Sequence, residues 1–164
     1  MKRLMVFIVA SILGCVDISY GFEIDGFKDG MRKDVVLEKS LSWNYDKVDD
    51  RGDSVGVYDF PDKKTYRHIN LSFHNNRLVG FQKNYKPSMA NYIMLFKELG
   101  DKYGDNVNCS AGTDLSTSGE NKNITCIWVV GNEKIHISYN IFPSNDQLSV
   151  YYNAYDKYNN TKTK

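Results

Sequence analysis

The 164-residue sequence predicts an α+β fold: two helix-plus-antiparallel-meander units, with helices packed on antiparallel sheet. Three observations carry this. Met89, Tyr92, Phe96, Leu99 and Tyr103 recur at steps of three and four, a single apolar helical stripe. Ile69, Leu71 and Phe73, then Ile135, Ile137, Tyr139 and Ile141, then Leu148, Val150 and Tyr152 alternate with polar residues, as half-buried strands do. Short turn-forming stretches separate these strands, which favours hairpins over parallel crossovers.

The chain opens as an export signal. Lys2 and Arg3 precede an apolar run over residues 4–13, too short to cross a bilayer but as long as a signal-peptide core. Ser19-Tyr20-Gly21 is a small-x-small cleavage site, the favoured one, and would leave Phe22 first. Ile12-Leu13-Gly14-Cys15 resembles a bacterial lipoprotein box, with Cys15 as the alternative, lipidated start. The expected organisation is a signal peptide over 1–21, one α+β domain over 22–157 and a flexible tail over 158–164.

Residues 1–21 hold Lys2, Arg3 and Asp17, so the remainder carries 19 basic and 19 acidic side chains. A neutral chain of this kind is not a nucleic-acid binder working by charge. The 41% hydrophobic content excludes a disordered chain. Cys109 and Cys126 remain after cleavage, an even count in an exported protein, and are expected to pair. Two free thiols or a reactive pair is the rival reading, although no C-x-x-C spacing supports it.

In chain order, residues 22–27 form a short strand or loop. A helix spans about 31–40, capped by Asp29 or Gly30, with Met31 and Val35 on one face and Trp43 at its exit. Residues 45–54 read as a polar loop. Val55 and Val57 begin a strand, and residues 61–64 form a turn. The strand of Ile69, Leu71 and Phe73 turns at His74-Asn75-Asn76, residues that tolerate positive φ, into a return strand with Val79, Phe81 and Tyr85. Ser88 caps the striped helix, which Gly104 ends. A strand over 107–111 precedes an exposed polar loop over 112–123. Ile124, Cys126, Trp128 and Val130 then alternate along a return strand. A Cys109–Cys126 bond would make these strands neighbours and the polar segment a hairpin tongue. Gly131-Asn132 and residues 143–146 are the last turns.

The runs Gly26-Phe27-Lys28-Asp29-Gly30-Met31-Arg32-Lys33-Asp34-Val35 and Leu71-Ser72-Phe73-His74-Asn75-Asn76-Arg77-Leu78-Val79-Gly80-Phe81 resemble small exported bacterial proteins of the BamE/SmpA-like and β-lactamase-inhibitor-like group. The likeness lies in a helix-start pattern and a hairpin-turn pattern over about residues 22–85. It implies helices laid on antiparallel sheet and an envelope protein that works by binding.

Chemical signals are sparse. His68 and His74 stand at opposite ends of one strand, roughly 20 Å apart at the strand rise. His136 could meet His68 only on neighbouring strands. No G-x-S-x-G motif occurs. Asp46, Asp49, Asp50 and Asp53 do not follow the calcium-loop pattern, and Arg51-Gly52-Asp53 is taken as a chance tripeptide. Glycosylation sequons start at Asn70, Asn108, Asn123 and Asn159.

Tyrosine is unusually common, with 12 copies, and is favoured at recognition surfaces. The expected binding surface comprises Tyr151 and Tyr155, read as exposed, and Asp114, Ser118 and Asn121 of the stapled tongue. The resulting expectation is a monomeric, non-enzymatic, periplasmic or secreted protein without cofactor or metal. Its partner is another envelope or secreted protein, taken as inhibitor, immunity or assembly accessory factor, and it touches membrane only if Cys15 is lipidated. The alternatives are a small secreted hydrolase using carboxylate and histidine chemistry, and an outer-membrane lipoprotein anchored at Cys15.

Overall fold

The computed structural model describes residues 21–43, 45–59, 67–116, 119–143 and 145–159. The fold is α+β and dominated by sheet. An N-terminal hairpin, β1 (Glu23–Ile24) and β2 (Phe27–Lys28), leads into helix α1 (Lys33–Ser42). Strands β3 (Lys47–Asp50), β4 (Ser54–Asp59), β5 (Arg67–His74) and β6 (Arg77–Tyr85) follow. Helix α2 (Met89–Tyr103) precedes β7 (Val107–Ser116), β8 (Gly119–Val130), β9 (Glu133–Ile141) and β10 (Gln147–Asn153), and α3 (Tyr155–Asn159) ends the described chain.

All strands from β3 to β10 form one antiparallel sheet in the order β3-β4-β5-β6-β10-β9-β8-β7. This differs from the expected two helix-plus-meander units, because the strands of both halves belong to one large sheet. β6 and β10 pair along six registered positions, from Leu148 opposite Tyr85 to Asn153 opposite Gly80, and weld the two meanders into a single sheet.

Alternation then sorts the side chains. Val55, Val57, Ile69, Leu71, Phe81, Leu148, Val150, Ile135, Ile137, Cys126 and Trp128 are buried on one face, in one core with the helices. The N-terminal hairpin lies over its middle, with Phe22 against Phe81 and Tyr152, and Phe27 against Phe81 and Trp43. Trp43 packs at the exit of α1 as expected.

Helix α2 starts where Ser88 Oγ accepts the Asn91 amide at 3.1 Å and ends where Gly104 takes φ 84°. Its buried residues are Tyr92, Leu95 and Leu99; Phe96 and Tyr103 are partly buried, and Met89 is exposed. The buried stripe is therefore rotated from the expected one. Tyr92 stacks on Tyr139, and Phe96 packs at a tilt against Trp128, whose indole N–H donates to the Gly104 carbonyl.

Other expectations are corrected. α1 begins two residues late at an N-cap, Arg32, that makes no side-chain cap bond, and it buries Val36 and Ser40 while Val35 is exposed. Ser40 tolerates burial because its hydroxyl donates to the Val36 carbonyl at 2.8 Å. The segment read as a polar loop contains β3, an edge strand whose outer side needs no apolar residue. The stretch read as an exposed loop is mostly strand, because β7 and β8 pair from Val107–Trp128 to Ser116–Gly119. Tyr158, placed in a flexible tail, lies in α3 and donates a hydrogen bond to Asp29. The turn at 61–64 and residues 160–164 lie outside the described residues.

Cys109 and Cys126 are directly opposed across β7 and β8 and form a disulfide, Cα to Cα 4.1 Å. Replacing both by alanine is expected to cost about 3 kcal/mol, since the bond closes a short loop. Urea unfolding of the oxidised chain and the variant checks this; equal midpoints would contradict it. Phe81→Ala removes the ring that Phe22, Phe27 and Tyr152 share and is expected to cost about 3–5 kcal/mol in the same assay.

Candidate functional site: the helix-free face of the sheet

Helices α1 and α2 pack on the core face, and α3 reaches the second face only at its end, where Asp156 pairs with Lys134 and Tyr155 meets His74. Register places the side chains of this second face in rows. One row runs Lys47, Tyr58, His68, Asn84, Ser149, Ser138, Thr125, Ser110. The next runs Asp49, Gly56, Asn70, Gln82, Tyr151, His136, Ile127, Asn108. A third holds Ser54, Ser72, Gly80, Asn153 and Lys134.

The centre of this face is uncharged and rich in Tyr, His, Asn, Ser and Gly, and charge gathers at its rim. Lys47, Asp49 and Arg51 form an ion-paired cluster at the β3 edge, where both cations approach the Asp49 carboxylate. Arg51 is the main cause of the lowered Asp49 pKa. Lys134, near the start of β9, is paired with Asp156.

Two tyrosines lie flat because two glycines make room. A Cβ on Gly56 would stand 2.8 Å from the Tyr58 ring, and one on Gly80 would stand 2.9 Å from the Tyr151 hydroxyl. Tyr151 reaches across Gly80 to hydrogen-bond Ser72. Burial raises its phenol pKa. Tyr58 stacks on His68 with centroids 4.9 Å apart, and His68 Nδ1 lies 3.0 Å from Asn84 Nδ2. His136 packs against Tyr151 at 5.9 Å. These contacts fix rigid aromatic area next to small polar groups. They supply hydrogen bonding and stacking, and the central strands β5, β6, β10 and β9 place no carboxylate in these three rows.

His68 and His136 are not neighbours. β6 and β10 lie between their strands, so the rings are roughly 15 Å apart at the interstrand spacing. The ring partners described for the histidines are Tyr58 and Asn84 for His68, Tyr151 for His136, and Tyr155 with Asn75 for His74.

The expected binding residues divide. Tyr151 is on this face but half-buried, not freely exposed. Tyr155 is exposed at the start of α3, where its ring meets His74 edge-on. Asp114 and Asn121 face each other in the tongue, Asp114 exposed and Asn121 with its Oδ1 buried and unpaired among the described residues. Ser118 and Cys15 lie outside the described residues. Asn70, Asn108 and Asn123, three of the sequon asparagines, share the helix-free face. Sequence reasoning missed this face because it is assembled from single polar residues on different strands. Only the register joins them; the available signal was the polar phase of each alternating strand.

No family model matches the chain, and no curated protein or solved structure shows significant similarity to it.

Burial holds both His68 and His136 below the ordinary imidazole value of 6.5, helped by Arg51 and Lys134 respectively. Their unfolded pKa is the higher one. The unfolded chain therefore takes up protons first, and stability falls as pH drops below about 6.5 towards the folded values. NMR titration of the ring protons should give midpoints below 6.5 for both; a midpoint at or above that value would contradict the burial account.

Proposed function

We propose that this is an exported, non-enzymatic protein that binds another envelope or secreted protein, and that it binds through the helix-free face. The supporting observation is the composition of that face. Interface centres are depleted of charge and enriched in tyrosine, with a polar rim. Tyr, Ser, Gly and Asn together are the palette of loops evolved for protein recognition, rigid rings beside adaptable polar groups. Eight strands at about 4.8 Å spacing, with some 20 Å of strand length, offer on the order of 700 Å², close to the ~800 Å² per partner of a standard interface.

Export rests on the signal-like N-terminus together with the disulfide, a bond of oxidising compartments. Among the described residues no helix is long and apolar enough to cross a membrane. The resemblance to small envelope proteins of the BamE/SmpA-like and β-lactamase-inhibitor-like group points the same way.

The test is a double substitution on the face. Tyr58→Ala with Tyr151→Ala removes both supported rings. A partner recovered from the native envelope by the unaltered protein should bind this variant at least about 30-fold more weakly, the loss of a hot-spot pair. Ile93→Ser, on the exposed outer side of α2, should bind as the parent does. Calorimetry with the purified partner reads both, and far-UV dichroism checks the folds. Unchanged affinity in the double variant, or loss in Ile93→Ser, contradicts the assignment.

A further inference from the structure

A second polar site lies where the N-terminal hairpin meets α3. A small open pocket there is lined by Gly21, Glu23, Lys28, Asp29, Lys157 and Tyr158. The Asp29 side chain is 3% exposed. Its Oδ2 accepts from Lys157 Nζ at 2.8 Å and from the Tyr158 hydroxyl at 2.7 Å. Its Oδ1 faces the backbone of Gly21: a Cβ on that residue would stand 2.1 Å from it. The Asp29 amide donates to the Phe22 carbonyl at 3.1 Å, and the Phe22 ring is buried between Phe81 and Tyr152. The Phe22 nitrogen is two bonds from the Gly21 Cα on which that Cβ is built, and the Phe22 carbonyl and ring hold this stretch of backbone in place.

Glu133, at the start of β9, is 5% exposed, and its Oε1 has no hydrogen-bond partner among the described residues. Burial first, then the nearby Asp29 charge, pushes its carboxyl up to about 7 against the pull of Lys157 and Lys102. The Tyr158 phenol is raised by burial first, then by the Asp29 hydrogen bond and charge and the Glu133 charge. The Arg77 charge opposes that rise, and its guanidinium donates to the Gly30 carbonyl at 3.0 Å. Among the described residues Asp29 is ion-paired with one ammonium, Lys157, while Glu133 feels Lys157 and Lys102 only as nearby charges.

We propose that the α-ammonium of Phe22, released by cleavage after Gly21, completes this site by pairing with Asp29. The step is peptide hydrolysis by the exporting peptidase. Water adds to the Gly21 carbonyl carbon and the C–N bond breaks. Gly21 leaves as a carboxylate, and the Phe22 nitrogen carries three hydrogens and one positive charge. Processing thereby converts an uncharged peptide link beside the buried Asp29 carboxylate into a cation. The inference is independent of the binding role of the helix-free face.

Two chains test it: one beginning at Phe22, and one extended by the native Ser19-Tyr20-Gly21. Acylation of the α-amine, followed by mass spectrometry at pH 7.5, should be at least tenfold slower in the Phe22 chain, because only the unprotonated amine reacts. Asp29→Asn should restore the rate. The thermal midpoint of the Phe22 chain should exceed that of the extended chain by several degrees at pH 7, and the gap should close by about pH 10, above the amine pKa. This pH series needs no variant, so it decides the matter even if Asp29→Asn fails to fold. Equal acylation rates, slow acylation that persists in a folded Asp29→Asn chain, or a midpoint gap absent at pH 7 or unchanged at pH 10 would each overturn the proposal.

Discussion

The pairing of β6 with β10 is the constraint on which the rest depends. It sets Phe81 opposite Tyr152 and joins two meanders that would otherwise each end in an open edge. Antiparallel register then admits no local choice, because a one-residue slip would move every apolar side chain to the wrong face. With register fixed, both long helices and the N-terminal hairpin are drawn to one side, the side that holds Leu71, Phe81, Ile137, Val150 and Trp128. The other side is left bare by the same rule that fills the core.

That bare side is specialised. Gly56 and Gly80 leave hollows that Tyr58 and Tyr151 fill, so two large rings lie on the sheet instead of standing off it. Such rings lose little rotational freedom when a partner arrives, which lowers the entropic cost of binding. The half-buried histidines add hydrogen-bonding groups that stay uncharged near neutral pH. The tongue differs. Its tip pairs only β7 with β8, it exposes Leu115 almost fully, and Gly119 leans towards Pro143.

Much of this was legible in the sequence. Strict alternation over β5, β9 and β10, the Ser88 cap, the Asn75-Asn76 turn with φ 48° and 61°, and the Cys109–Cys126 pair are all local signals, and each is found. What failed was non-local. β3 is polar because it is an edge, so its four residues read as loop. The rotation of α2 is set by the Tyr139 and Trp128 rings beneath it, which favour Leu95 over Met89 as the inward residue. The candidate surface is legible only in part: Tyr151 alternates with the core residues Val150 and Tyr152, and that places it on the helix-free face. Its neighbours His136, Gln82 and Asn70 come from three other strands and cannot be assembled without the register.

The central claim is that the helix-free face is where a protein partner sits. The most direct measurement is site-specific photo-crosslinking in the native envelope. A photoreactive phenylalanine analogue replaces Gln82, at the middle of the face, or Ile93, on the outside of α2, in otherwise unaltered protein. The account predicts one discrete adduct from position 82 and none from position 93. Adducts from position 93 with none from position 82 would contradict it.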